Sequence, residues 1–152
     1  MGREQWIAAA SMGLFAVFAG EMISMYHYML QASEEMDFSI VFEPDPKTLQ
    51  FISIGAAPGS VMAAVSFILS RRYGSRRVGM LIVAGGAAML AGMSYCYSIL
   101  DSIHPIYMTT TDFSPPLYML SPPLFMVVSV PVMIFGALLF RIRARRPRKD
   151  YL

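Results

Sequence analysis

Four long apolar runs divide the chain, at about 5–30, 50–70, 78–100 and 120–140, and the polar residues gather between them. Each run is close to the roughly 20 residues that a helix rising 1.5 Å per residue needs to cross about 30 Å of hydrocarbon. The pattern predicts an all-α integral membrane protein: residues 1–152 as a single membrane domain, with four transmembrane helices in an antiparallel bundle. Composition strengthens the reading, because 56% of the 152 residues are hydrophobic and 14% charged, where soluble domains carry about a quarter charged residues. Val17-Phe18-Ala19 is a passable signal-cleavage site, but the apolar run continues to Leu30, so the segment reads as a span.

The net charge of +2 hides a strong segregation. Basic residues collect near the N-terminus, in the turn holding Arg71, Arg72, Arg76 and Arg77, and in the tail holding Arg141, Arg143, Arg145 and Arg146. Acidic residues collect in the other two loops: Glu34, Glu35, Asp37, Glu43 and Asp45 in one, Asp101 and Asp112 in the next. The two kinds of segment alternate along the chain. Under the positive-inside rule this places both termini and the 71–77 turn in the cytoplasm and the two acidic loops outside, in a multi-pass protein of the cell membrane. Tyr26, Tyr28, Tyr95, Tyr97 and Tyr118 then fall at the outer ends of the spans, as an aromatic belt would.

Small residues mark helix-packing faces. Gly55, Gly59 and Ala63 line one side of the second span, and Gly85, Ala88 and Gly92 one side of the third; such residues let helix backbones approach closely in lipid. The short basic turn makes these two spans neighbours, and the obvious pairing sets the two faces against each other. Pro44 and Pro46 predict extended backbone ahead of the second span, and Pro58 and Pro131 predict kinks within the second and fourth. Pro122 and Pro123 suit the first turn of the fourth.

Candidate chemistry is sparse. Glu21 is the one charged residue inside an apolar run, and an ionised carboxylate at such depth costs about 2.5–3.5 kcal/mol. It therefore calls for protonation, a partner, or a watery or protein-lined niche; Ser24 and Tyr28, on its own helical face, are candidate hydrogen-bond partners. His27 and His104 meet the membrane on Glu21's side, and with nearby methionines they form a conceivable soft-metal set suited to copper. Against it, Glu21 and His27 lie about 240° apart around a helix. The single cysteine, Cys96, forms no internal disulfide, and the 14 methionines are spread over all the spans. The sequence contains no G-x-S-x-G, H-E-x-x-H, Walker or dinucleotide motif.

The leading expectation is a small, non-catalytic subunit of a larger membrane complex, binding no cofactor by itself. By analogy of class, such subunits accompany respiratory oxidases and copper-dependent membrane monooxygenases. Its partners are other integral-membrane subunits and lipids, not nucleic acid, since the basic tail lacks interleaved aromatics and sits at a membrane exit. Two alternatives stand beside it: a metal- or proton-handling membrane protein acting through Glu21, His27 and His104, and a small transporter or channel.

Overall fold

A computed structural model describes residues 2–31, 43–103 and 115–142. The Phe38–Phe42 segment, His104, the Thr109–Thr111 run and Arg143, Arg145 and Arg146 lie outside these residues. The described chain is all-helical: α1 (Arg3–Leu30), α2 (Pro44–Phe51), a π-helical turn (Ile52–Ala56), α3 (Ala57–Ser70), α4 (Arg76–Ile99) with a 3-10 turn at Leu100–Ser102, and α5 (Leu117–Arg141). Four helical stretches are long and apolar enough to cross a membrane: Arg3–Leu30, Pro44–Ser70, Arg76–Ser102 and Leu117–Arg141.

The second stretch starts earlier than the prolines suggest. Pro44 and Pro46 do not sit in extended backbone; both belong to the opening turns of α2. There a missing N–H costs nothing, because the first amides of a helix have no intrahelical partner. The disturbance from Pro58 takes the form of the π turn just before it, where the Ala57 N–H reaches back to the Ile52 carbonyl. A proline ring clashes with the carbonyl four residues earlier, here that of Ile54, and a widened turn relieves the clash. Pro122 and Pro123 also lie deeper than the first turn, because α5 begins at Leu117; with Pro131 they sit inside the helix.

α1 organises the packing. Its buried residues Ala8, Ser11, Phe15, Phe18, Met22, Met25 and Met29 advance in steps of three and four, the period that keeps one seam of a helix facing its neighbours. α4 follows the same rhythm through Val78, Ile82, Gly85, Met89, Gly92 and Cys96. α1 packs along α3 and along α4, and α5 packs along α4. α3 and α4 touch sparsely although a short turn joins them.

That arrangement corrects the expected pairing of the two small faces. Both turn toward α1. A Cβ on Gly55 would stand 2.8 Å from the Phe18 Cβ, and one on Gly59 would stand 3.2 Å from the Phe15 ring. A Cβ on Gly85 would stand 2.9 Å from the same ring on its other side, and one on Gly92 would stand 2.6 Å from Ala19. The glycines are hollows for large residues of α1 rather than a mutual contact. Gly79 and Gly86 serve α5 in the same way, against Gly136 and Met133. Ala63 is buried and Ala88 partly so. Phe18 meets Phe125 edge-on, with ring centroids 4.8 Å apart, which ties α5 to the centre of the bundle.

Candidate functional site

Polar groups occupy three places in the described structure: one end of the bundle, the opposite end, and the flank of α1. At the first end, Tyr26 and Tyr118 are fully buried, so they do not belong to an interfacial belt; Tyr28, Tyr95 and Tyr97 remain exposed. The buried pair has a specific cause. Pro122 has no N–H, so the carbonyl four residues before it, that of Tyr118, loses its helical donor. The Tyr26 hydroxyl of α1 donates to that carbonyl instead, and Ser121 Oγ donates to it at 3.2 Å. The Tyr118 N–H, at the open start of α5, is accepted by Asp45 Oδ1 at 3.1 Å. A carboxylate there completes an unsatisfied helix N-terminus. Thr48 Oγ1 donates to the Pro44 carbonyl at 2.8 Å, with Met25 Sδ 3.7 Å away. The short helix α2 is thus pinned between α1 and α5.

The opposite end is basic. Gly74 takes φ +61°, a left-handed conformation that glycine adopts without strain. Its N–H donates to the Ser70 carbonyl at 2.9 Å, closing α3. Ser75 then caps α4 by accepting from the Val78 N–H. Arg71 and Arg72 from this turn meet Arg141 of α5 around a hollow of about 610 Å³ floored by Phe67, Leu138 and Ile142. Arg76 and Arg77 are exposed at the start of α4.

Glu21 lies roughly 14 Å from the Leu30 end of α1, at 1.5 Å per residue. It does not point into the bundle centre. It borders an open groove of about 550 Å³ on the flank of α1, lined by Val17, Gly20, Ser24, Met25 and Tyr28 of α1 and by Lys47 and Phe51 of α2. Its Oε2 is buried and has no hydrogen-bond partner among the described residues. Ser24 and Tyr28, the partners expected from the sequence, share the groove but leave that oxygen unbonded.

His27 turns elsewhere. Its Nε2 lies 3.0 Å from the Tyr95 hydroxyl of α4, and the two rings stack at a tilt, with centroids 5.7 Å apart. Glu21 and His27 therefore look onto different neighbours, α2 and α4. Among the described residues no three His, Cys, Asp or Glu side chains group as metal ligands, and His104 lies outside those residues. Cys96 is a buried free thiol.

Four elements of this picture were missed in the sequence. Lys47 and Phe51 join Glu21 because α2 folds back along α1, which the prolines seemed to forbid. Tyr95 finds His27 through the packing of α1 on α4. Asp45 reads as one more loop acid until α5 is seen to begin beside it. Pro122 does announce a freed carbonyl at Tyr118, but nothing local names Tyr26 as its donor. No protein-family model, curated protein or solved structure matches the chain.

Proposed function

We propose that this chain is a small non-catalytic subunit of a larger membrane complex, held by other integral-membrane chains. The observation that carries the reading is the position of Glu21. A carboxyl at membrane depth lines an open groove on the flank of the bundle. Holding a carboxyl beside lipid is costly, and a neighbouring subunit covers the groove that it lines. The bundle interior also favours this reading. Among the described residues its buried polar side chains are hydroxyls of Ser and Thr, and its buried core is Phe, Met, Ile, Leu, Val, Tyr, Cys and Ala. A transporter or channel needs a polar path, and the described interior offers no charged one.

The alternative of a metal- or proton-handling site through Glu21, His27 and His104 draws less support, since Glu21 and His27 face different helices. The proposed topology keeps both termini and the Arg71–Arg77 turn in the cytoplasm, with the spans antiparallel. Two features support it. Contacts from α1 to the π turn and α3 run in opposite chain order, Leu14 and Phe18 meeting Gly55 while Ser11 meets Gly59. The described arginines of the turn and of α5 also gather at one end. The hollow among Arg71, Arg72 and Arg141 suits an anionic lipid headgroup, at about 1 kcal/mol per basic residue near the surface.

Purification from native membranes in mild detergent tests the proposal, with native sizing, identification of copurifying chains and metal analysis on the same band. A large assembly of several chains is expected. A small band of this chain alone carrying stoichiometric metal would favour the metal-handling reading instead.

A further inference from the structure

The basic end of the bundle holds charge that the described chain leaves unanswered. Arg71 and Arg72 follow α3, and Arg141 ends α5. Segments far apart in the chain thus bring three guanidinium groups around one hollow of about 610 Å³. Among the described residues none of the three has a hydrogen bond or an ion pair. Glu4, the acid at the start of α1, does not line the hollow. The chain's continuation does not balance the charge either, since Arg143, Arg145, Arg146, Arg148 and Lys149 stand there against Asp150. Beneath the arginines the floor is apolar: Phe67 of α3, Leu138 of α5, and Ile142. Phe67 meets Phe135, with ring centroids 5.3 Å apart, and Leu138 and Phe135 are exposed along the span. α3 and α5 otherwise touch sparsely. An occupant of this hollow must offer an anionic head to the rim and an apolar body to the floor.

We infer that this hollow is a site for one phospholipid whose headgroup carries two negative charges, and that the bound lipid ties α3 to α5. The inference rests on the headgroup fit already described and adds the charge of the headgroup and its work in the fold; it does not depend on the chain's being a subunit. Guanidinium forks take phosphate oxygens in pairs, and basic pockets between transmembrane helices suit multiply charged headgroups. Three cations without a described acid leave a singly charged headgroup short of charge. Charge and shape together select the occupant. Free phosphate satisfies the rim and leaves the apolar floor uncovered, and a soluble acidic peptide does the same. A zwitterionic lipid covers the floor but brings a cation of its own to the arginines. A doubly charged phospholipid meets both demands.

The test is titration of the purified full chain in detergent, read by native mass spectrometry, with diphosphatidylglycerol, phosphatidate, phosphatidylglycerol, phosphatidylcholine and inorganic phosphate as probes. One doubly charged lipid should bind per chain, about fivefold more tightly than phosphatidylglycerol, with phosphatidylcholine weaker still. Arg71→Gln, Arg72→Gln and Arg141→Gln should each weaken that binding about fivefold. Arg141→Lys, which keeps the charge and the orientation signal, should retain most of it. Arg77→Gln, at an exposed position outside the hollow, should leave it unchanged. The bound lipid should raise the melting temperature of the unmodified chain more than that of the Arg141→Gln chain, and the melting temperature without lipid verifies that each variant is folded. Phosphatidylglycerol bound as tightly as both doubly charged lipids would overturn the inference, as would an equal loss from Arg77→Gln or a bound lipid that leaves the melting temperature unmoved. Equal binding of inorganic phosphate, or equal competition by a soluble Glu-rich peptide, would overturn it in favour of a phosphate or a protein site. The titration uses the chain alone, so its failure leaves the subunit reading standing, and a chain that purifies from membranes without partners leaves the lipid site standing.

Discussion

On its inner face α1 presents Phe15, Phe18 and Ala19 to hollows left by Gly55 of the π turn, Gly59 of α3, and Gly85 and Gly92 of α4. On its outer face a Cβ at Gly13 or Gly20 would meet no described atom within 4 Å, and Ser24 is exposed. Both faces are apolar, and hydropathy does not separate them, because lipid is as apolar as a bundle interior. What separates them is which partner brings the bulk. Inside, α1 carries the knobs and its neighbours the holes; outside, α1 carries the holes. In a membrane, size complementarity and stray polar groups carry the information that a polar stripe carries in a soluble helix.

Substitutions that fill the two kinds of hollow sharpen this contrast. Gly85→Leu drives a side chain into the Phe15 ring, where even a Cβ stands at 2.9 Å, and toward the Met12 backbone. Overpacking of this kind should destabilise the isolated chain by about 3 kcal/mol, read from unfolding in mixed micelles. Gly13→Leu, with open space around it, should stay within about 0.5 kcal/mol of the unmodified chain in the same assay. Equal losses at both positions would break the contrast.

Tyr26→Phe should come next in size. It removes the hydroxyl that serves the Tyr118 carbonyl and leaves the longer Ser121 bond in place, so a loss of about 1–3 kcal/mol is expected. Pairing it with Pro122→Ala, which restores an N–H to α5, should recover part of the loss; strictly additive effects would argue against the coupling. Asp45→Ala should cost about 1 kcal/mol by uncapping α5, and hydrogen exchange at the start of α5 should rise with it. Gly20→Ala is the mildest change. In the isolated chain it should add about 0.5 kcal/mol of stability by removing glycine's backbone freedom, and a loss there would mean that the face is already packed.

The spans themselves were plain in the sequence, because four uninterrupted apolar runs leave little choice in a bilayer. The small faces were legible too, since Gly55, Gly59, Gly85 and Gly92 stand at helical spacings. Their partners were not. A hole does not say which knob fills it, and the short 71–77 turn suggested the wrong neighbour. Pro44 and Pro46 hid the start of α2, because proline suits an extended strand and a helix's opening turns equally well. With α2 hidden, Lys47 and Phe51 stayed in a loop and Glu21 lacked its groove. Glu21 itself stood out as the lone charge in an apolar run; which way it faced depended on the three-dimensional packing of α1. The pairing of His27 with His104 is beyond reach, because His104 lies outside the described residues.

The central claim is that the two faces of α1 do separate work, one folding the chain and the other holding it in an assembly. Gly20→Leu tests it most directly, by measuring native assembly size from membranes alongside the melting temperature of the isolated chain. The account predicts that the assembly falls apart to the isolated chain while the melting temperature stays where it was. An assembly of unchanged size, or a melting temperature that falls together with it, would contradict the account.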